Sequence, residues 1–88
     1  MTESETTLDS PTDILALNKD AMDCMKLGAY KTAVDLLKKA EDALKKGVGN
    51  TEKLSLLGIT YNNFGCYYKE RNKPKVALTY LKKALEIE

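Results

Sequence analysis

Tyr61-Asn62-Asn63-Phe64-Gly65-Cys66-Tyr67-Tyr68, followed a short break later by Ala77-Leu78-Thr79-Tyr80-Leu81-Lys82-Lys83-Ala84, is the stretch that decides the fold. Tyr61, Phe64 and Tyr68 step by three and four residues, the spacing of one helical face, and Leu54 and Leu57 extend that stripe backwards. Leu56, Ile59, Cys66 and Tyr67 widen it past a single face, so this helix is expected to be buried on more than one side. Gly65 removes a side chain from the middle of the stripe, where a neighbouring helix can then come close. The next helix offers a small, a large and a small residue on one face, Ala77, Leu81 and Ala84. The two segments read as a tightly packed helical hairpin.

Working outward, the pattern Ala77-x3-Leu81-x2-Ala84 has a copy at Ala33-x3-Leu37-x2-Ala40, 44 residues earlier, so the chain is an internal duplication. Ser10-Pro11-Thr12-Asp13 has the form of a helix start: a capping hydroxyl, a proline at the first helical position and an acid at the capping-box position. The helix that follows should reach Leu27 and stop at Gly28, which can take positive φ. A second helix folds straight back from Tyr30 through Ala33, Val34, Leu37, Ala40 and Leu44 to Lys46. Gly47-Val48-Gly49-Asn50 is the clearest break, with Asn50 or Thr51 as the next cap, and Arg71-Asn72-Lys73-Pro74 is the third junction. No stretch sustains the alternation of a strand, and the fold class expected is all-α, four antiparallel helices in two hairpins.

An 88-residue chain of this size supports one domain. The absence of histidine removes the commonest general base and metal ligand, so neither an enzyme nor a metal or cofactor site is expected. Cys24 and Cys66 lack metal-ligand or disulfide-framework spacing and read as buried free thiols of a reducing compartment. No leader-like or membrane-spanning segment is evident, so a cytoplasmic protein is expected. Residues 1–23 carry six acids against Lys19, and residues 1–10 read as a disordered acidic tail. The rest is basic, but Asp35 with Lys39, Glu41 with Lys45 and Asp42 with Lys46 are placed as i,i+4 helix pairs. That pattern indicates a solvated face rather than a nucleic-acid patch.

The run Tyr61-x2-Phe64-Gly65-x2-Tyr68 with Ala77-x3-Leu81-x2-Ala84 closely resembles the tetratricopeptide repeat. The resemblance covers residues 12–88, with repeat one at about 11–46 and repeat two at about 51–88. The first copy is degenerate, with Asp20, Ala21 and Cys24 at the positions of Phe64, Gly65 and Tyr68, as befits a terminal repeat. A 44-residue period is longer than usual, and Thr60 to Phe64 and Lys83 to Glu88 look like segments of the lengthened repeats of kinesin light chains. The resemblance implies a right-handed α-solenoid fragment in which Gly28, Ala33, Ala40, Tyr61, Phe64, Gly65, Tyr68, Ala77, Leu81 and Ala84 are packing positions. A closed four-helix bundle is the alternative.

The same resemblance implies a protein-protein interaction module that holds a peptide or helical segment of a partner in a concave groove, in an adaptor or scaffold role. Carried over by register, the groove positions are Leu15, Asn18, Met22, Met25 and Lys26 in the first unit. In the second they are Ile59, Asn62, Asn63, Cys66, Lys69 and Glu70, with Asn63 at a position that meets peptide backbone in the family. The carboxylate clamp of some family members is not expected, because Asn18 and Met22 stand where its first lysine and asparagine would be. The alternative function is structural self-association, as a homodimer, through the last helix at Tyr80, Leu85 and Ile87. Neither nucleic acid nor membrane is an expected partner.

Overall fold

The computed structural model describes residues 10–46 and 51–87, which form α1 (Pro11–Lys26), α2 (Tyr30–Lys45), α3 (Thr51–Glu70) and α4 (Pro74–Ile87). Among the described residues no strand occurs, and the protein is all-α, built of two helical hairpins. The acidic tail, Ser10 apart, lies outside the described residues, as do the Gly47 to Asn50 junction and Glu88.

Ser10 caps α1: its Oγ accepts from the Asp13 backbone N–H at 3.1 Å. Both hairpin turns then end the preceding helix in one way. After α1, the N–H of Ala29 donates to the carbonyl of Cys24 at 2.8 Å and that of Gly28 to Met25 at 3.0 Å. After α3, the N–H of Lys73 donates to Tyr68 at 2.8 Å and that of Asn72 to Lys69 at 3.1 Å. These are paired Schellman bonds, which need a left-handed residue at the penultimate position. Gly28 supplies it with φ +79°, and Asn72, 44 residues on, with φ +61°. Gly28→Ala should therefore cost about 1 kcal/mol, while Asn72→Gly should raise stability by a few tenths, both measurable by chemical denaturation.

The duplication is visible in the packing. Ala21, Ala33, Leu37 and Ala40 of the first hairpin are fully buried, and Gly65, Ala77 and Ala84 of the second are buried as well. One cluster joins all four helices through Ala21, Met25, Leu37, Phe64, Tyr67 and Ala84, and a second ties Ile14 and Leu17 to Ala43, Leu44 and Leu56. The backbone of α3 packs against all three other helices, whereas α4 packs closely on α3 alone. The result is a slab of 42 × 29 × 14 Å with α4 on its outer edge.

Two expectations are corrected. Glu41 pairs with Lys45 at 3.3 Å as expected, but Asp35 pairs with Lys31 at 3.0 Å instead of Lys39. Asp35 sits one helical turn from both lysines, and exposed pairs differ too little in energy for spacing to choose between them. Asp42 forms no ion pair with Lys46 among the described residues. The carbonyl of Lys46 instead accepts from Lys53 Nζ at 3.1 Å, which fastens the end of α2 to the start of α3.

Candidate functional site

α1 and α3 present neighbouring faces, and between their C-terminal halves lies an open groove of about 450 Å³ lined by Met22, Met25, Lys26, Cys66, Lys69 and Glu70. Helical periodicity accounts for the set. Met25 and Lys26 lie three and four positions after Met22 on α1, as Lys69 and Glu70 lie three and four after Cys66 on α3. Met25 is buried, Met22 and Cys66 are half-buried, and the charged heads of Lys26, Lys69 and Glu70 stand in solvent. The groove thus has a soft sulfur-rich floor and a charged rim. Methionine side chains adapt to surfaces of varied shape, and long charged side chains can lie along apolar surface with their heads in water.

The far end of the α1–α3 seam is closed by polar side chains. Asn18 is only 3% exposed. Its Nδ2 donates to the Ile14 carbonyl at 3.1 Å and to Thr60 Oγ1 at 3.0 Å, while its Oδ1 accepts from Asn63 Nδ2 at 2.8 Å. Thr60, fully buried, donates in turn to the Leu56 carbonyl at 2.9 Å. This corrects the sequence reading for Asn18, which placed it on the ligand-facing surface; Asn63, assigned to the same surface, is half-buried. A buried amide must find partners, and Asn18 finds them across the helix interface, where both of its N–H donors are spent on Ile14 and Thr60 and its oxygen already accepts from Asn63. No sequence pattern pairs residues 45 apart. The available signal was the rarity of a polar residue, Asn18, between the apolar positions Ile14, Leu17 and Ala21.

Loss of this network has a size. Asn18→Ala strands the Asn63 amide and one side of Thr60 and should cost about 1–3 kcal/mol. Asn62→Ala, at the exposed position 44 residues on, should stay within about 0.5 kcal/mol of the parent. Urea midpoints of the two variants check the contrast.

The remaining assigned residues separate. Asn62 and Ile59 lie further back along α3, toward its N-terminal half, where they line a second groove with Leu54, Gly58 and Ile87. Leu15 is 47% exposed and lines neither groove. Of the residues assigned to self-association, Leu85 is 70% exposed, but Tyr80 is half-buried with its ring centroid 4.7 Å from Phe64 and 5.5 Å from Tyr68. Ile87 is half-buried against Gly58. Tyr80 and Ile87 therefore belong largely to internal packing, because α4 turns them back onto α3.

Tyrosines fasten the second hairpin around the site. Tyr30 Oη donates to Glu70 Oε1 at 3.4 Å, the Arg71 guanidinium lies 4.7 Å above the Tyr30 ring, and Tyr67 meets that ring edge-on. Burial pushes the hydroxyls of Tyr61, Tyr68 and Tyr80 above the usual tyrosine pKa, with the carboxylate of Glu41 adding to each shift. Near neutral pH these groups are uncharged and act as packing. Among the described residues no three metal-ligating side chains come together, and no helix is long and apolar enough to cross a membrane. Comparison with family models, curated proteins and solved structures finds no match to this chain.

Proposed function

We propose that the chain is a protein-interaction module of tetratricopeptide type that captures a peptide or helical segment of a partner between α1 and α3, as an adaptor or scaffold. The observation that carries this reading is the groove itself. Six residues that the repeat register assigns to one ligand-facing surface, from helices 40 residues apart in sequence, line a single concavity of about 450 Å³. The packing order supports the repeat-like arrangement: α3 nests against both helices of the first hairpin, and α1 and α4 make no close backbone approach among the described residues. A closed bundle would bring those two helices together.

The ligand fits as an apolar side chain, or a short run of them, laid on Met22, Met25 and Cys66, flanked by groups that meet Lys26, Lys69 and Glu70. An amphipathic segment has both features. A peptide array probed with the full chain tests the reading, with Met22→Glu and Cys66→Asp as matched variants. Both residues are only half-buried, so circular dichroism can verify that each variant remains folded. The expected outcome is a set of apolar-centred peptides whose capture falls by about ten-fold or more in both variants. If every peptide captured by the parent is captured equally by the folded variants, the groove is not the binding site.

A further inference from the structure

The duplication supplies an interface whose second half is uncovered among the described residues. In the first unit, α3 covers one face of the α1–α2 hairpin: Val34 is 9% exposed, Asn18 is 3% exposed, and Glu41 is half-buried. The residues 44 positions on form the same face of the α3–α4 hairpin, and they lie bare: Leu78 is 53% exposed, Asn62 is exposed, and Leu85 is 70% exposed. Asn62 also lines a groove of about 660 Å³ between α3 and the end of α4, together with Leu54, Ser55, Gly58, Ile59 and Ile87. We propose that this end face docks an acidic amphipathic helix of a partner protein, seated on α3 and α4 as α3 itself is seated on α1 and α2. The site is distinct from the α1–α3 groove.

Three observations define the occupant. The internal α1/α2–α3 interface is continuous with this face by the repeat, so the shape that fits is an α-helix presenting an apolar stripe to Leu78, Leu85 and Gly58. Asn62 stands where Asn18 meets Thr60 and Asn63, so the helix carries a hydroxyl or amide side chain opposite it. The acidic character follows from α4. Lys75 and Lys82 lie one turn from Leu78 and Leu85 on the helix surface. In the first unit Lys31 is neutralised by Asp35 at 3.0 Å, but Thr79 occupies the matching place beside Lys75. Among the described residues neither Lys75 nor Lys82 forms an ion pair. A second copy suits the face poorly. Its own α3 is already seated on its own first hairpin, and pairing α4 with α4 would oppose four like-charged lysines.

The probe is a lactam-bridged helix carrying the sequence of residues 51–70 with Lys53→Glu and Lys69→Glu, beside a basic version with Glu52→Lys and Glu70→Lys. Each is titrated into the isotope-labelled full chain and followed by amide chemical shifts. Saturable binding of the acidic helix is expected, with shifts at Gly58, Asn62, Leu78 and Leu85, and about ten-fold weaker binding of the basic helix. Leu78→Glu, at a solvent-facing position, should weaken the acidic probe by about ten-fold or more, and Met22→Glu should leave it unchanged. Absence of saturable binding overturns the proposal, as do shifts confined to Met22 and Lys69 or equal affinity for both probes. Concentration-dependent association of the chain alone, abolished by Leu78→Glu, assigns the face to a second copy and overturns it as well.

Discussion

Gly65→Leu should collapse the second hairpin, with a loss of about 3 kcal/mol or more and a large fall in the urea midpoint. A Cβ built on Gly65 falls 2.6 Å from Leu81 Cδ2, 2.7 Å from Leu81 Cγ and 3.4 Å from the Ala77 carbonyl oxygen. The Leu81 side chain lies directly over Gly65 with the Ala77 carbonyl beside it, and a leucine at that position has to displace Leu81 and force the helices apart. Gly65→Ala separates crowding from helix propensity. Alanine gains about 1 kcal/mol over glycine in a helix interior, whereas overpacking costs about 1–3 kcal/mol, so the single variant should be neutral to destabilising. On a Leu81→Ala background the obstruction is gone, and the same Gly65→Ala change should become stabilising by about 1 kcal/mol. A sign reversal in this double-mutant cycle is the signature of close approach. Equal effects on both backgrounds would show that Gly65 has no steric part in the hairpin.

Gly65 and its partners were legible because hairpin packing is local: periodicity fixed the faces of α3 and α4, and the small residues marked where they meet. Helix limits were equally readable at Ser10, Gly28 and Pro74, where caps and turns are properties of a few adjacent residues. Asn72 carried a readable signal that periodicity overlooks, since it lies 44 residues after Gly28 and takes the same left-handed turn. The groove residues Met22, Met25, Lys26, Cys66, Lys69 and Glu70 follow from register, because parallel placement of two copies brings equal positions side by side. Asn18 and Asn63 do not. Whether an amide faces solvent or a neighbour depends on the offset between α1 and α3, which side-chain packing sets and no single-helix pattern encodes. Tyr80 was misjudged for a related reason: a stripe wider than one face leaves open which edge turns inward.

Phe64→Ala should remove about 3–5 kcal/mol, a large part of what a domain this small has available. Phe64 is 1% exposed, and its ring lies 4.7 Å from Tyr80 and 6.3 Å from Tyr68, nearly parallel to both. Tyr80 in turn reaches Tyr61 at 5.8 Å. Truncation takes away the ring on which Tyr68 and Tyr80 converge and leaves a cavity that the helices cannot close without parting. The chain has no tryptophan, so near-ultraviolet circular dichroism reports these tyrosines directly and should lose most of its amplitude. A pH titration supplies a second reading. Burial raises the pKa of Tyr61, Tyr68 and Tyr80, so below about pH 10 all three are neutral in folded and unfolded chains alike, and stability falls as pH climbs past that point. Phe64→Ala opens the cluster to water, and the ionisation of Tyr80 should move back toward the ordinary tyrosine value even under conditions where the variant remains folded. The first unit marks the boundary of the effect. Asp20 occupies the position of Phe64 there and is exposed, so that hairpin depends on Ala21, Met25 and Leu37 instead. Its hydrogen-exchange protection should outlast that of α4 in the variant. Equal loss of protection in α2 and α4 would mean that the two hairpins unfold as one unit, and a cost under about 1 kcal/mol would mean that the aromatic cluster does not hold α4 in place.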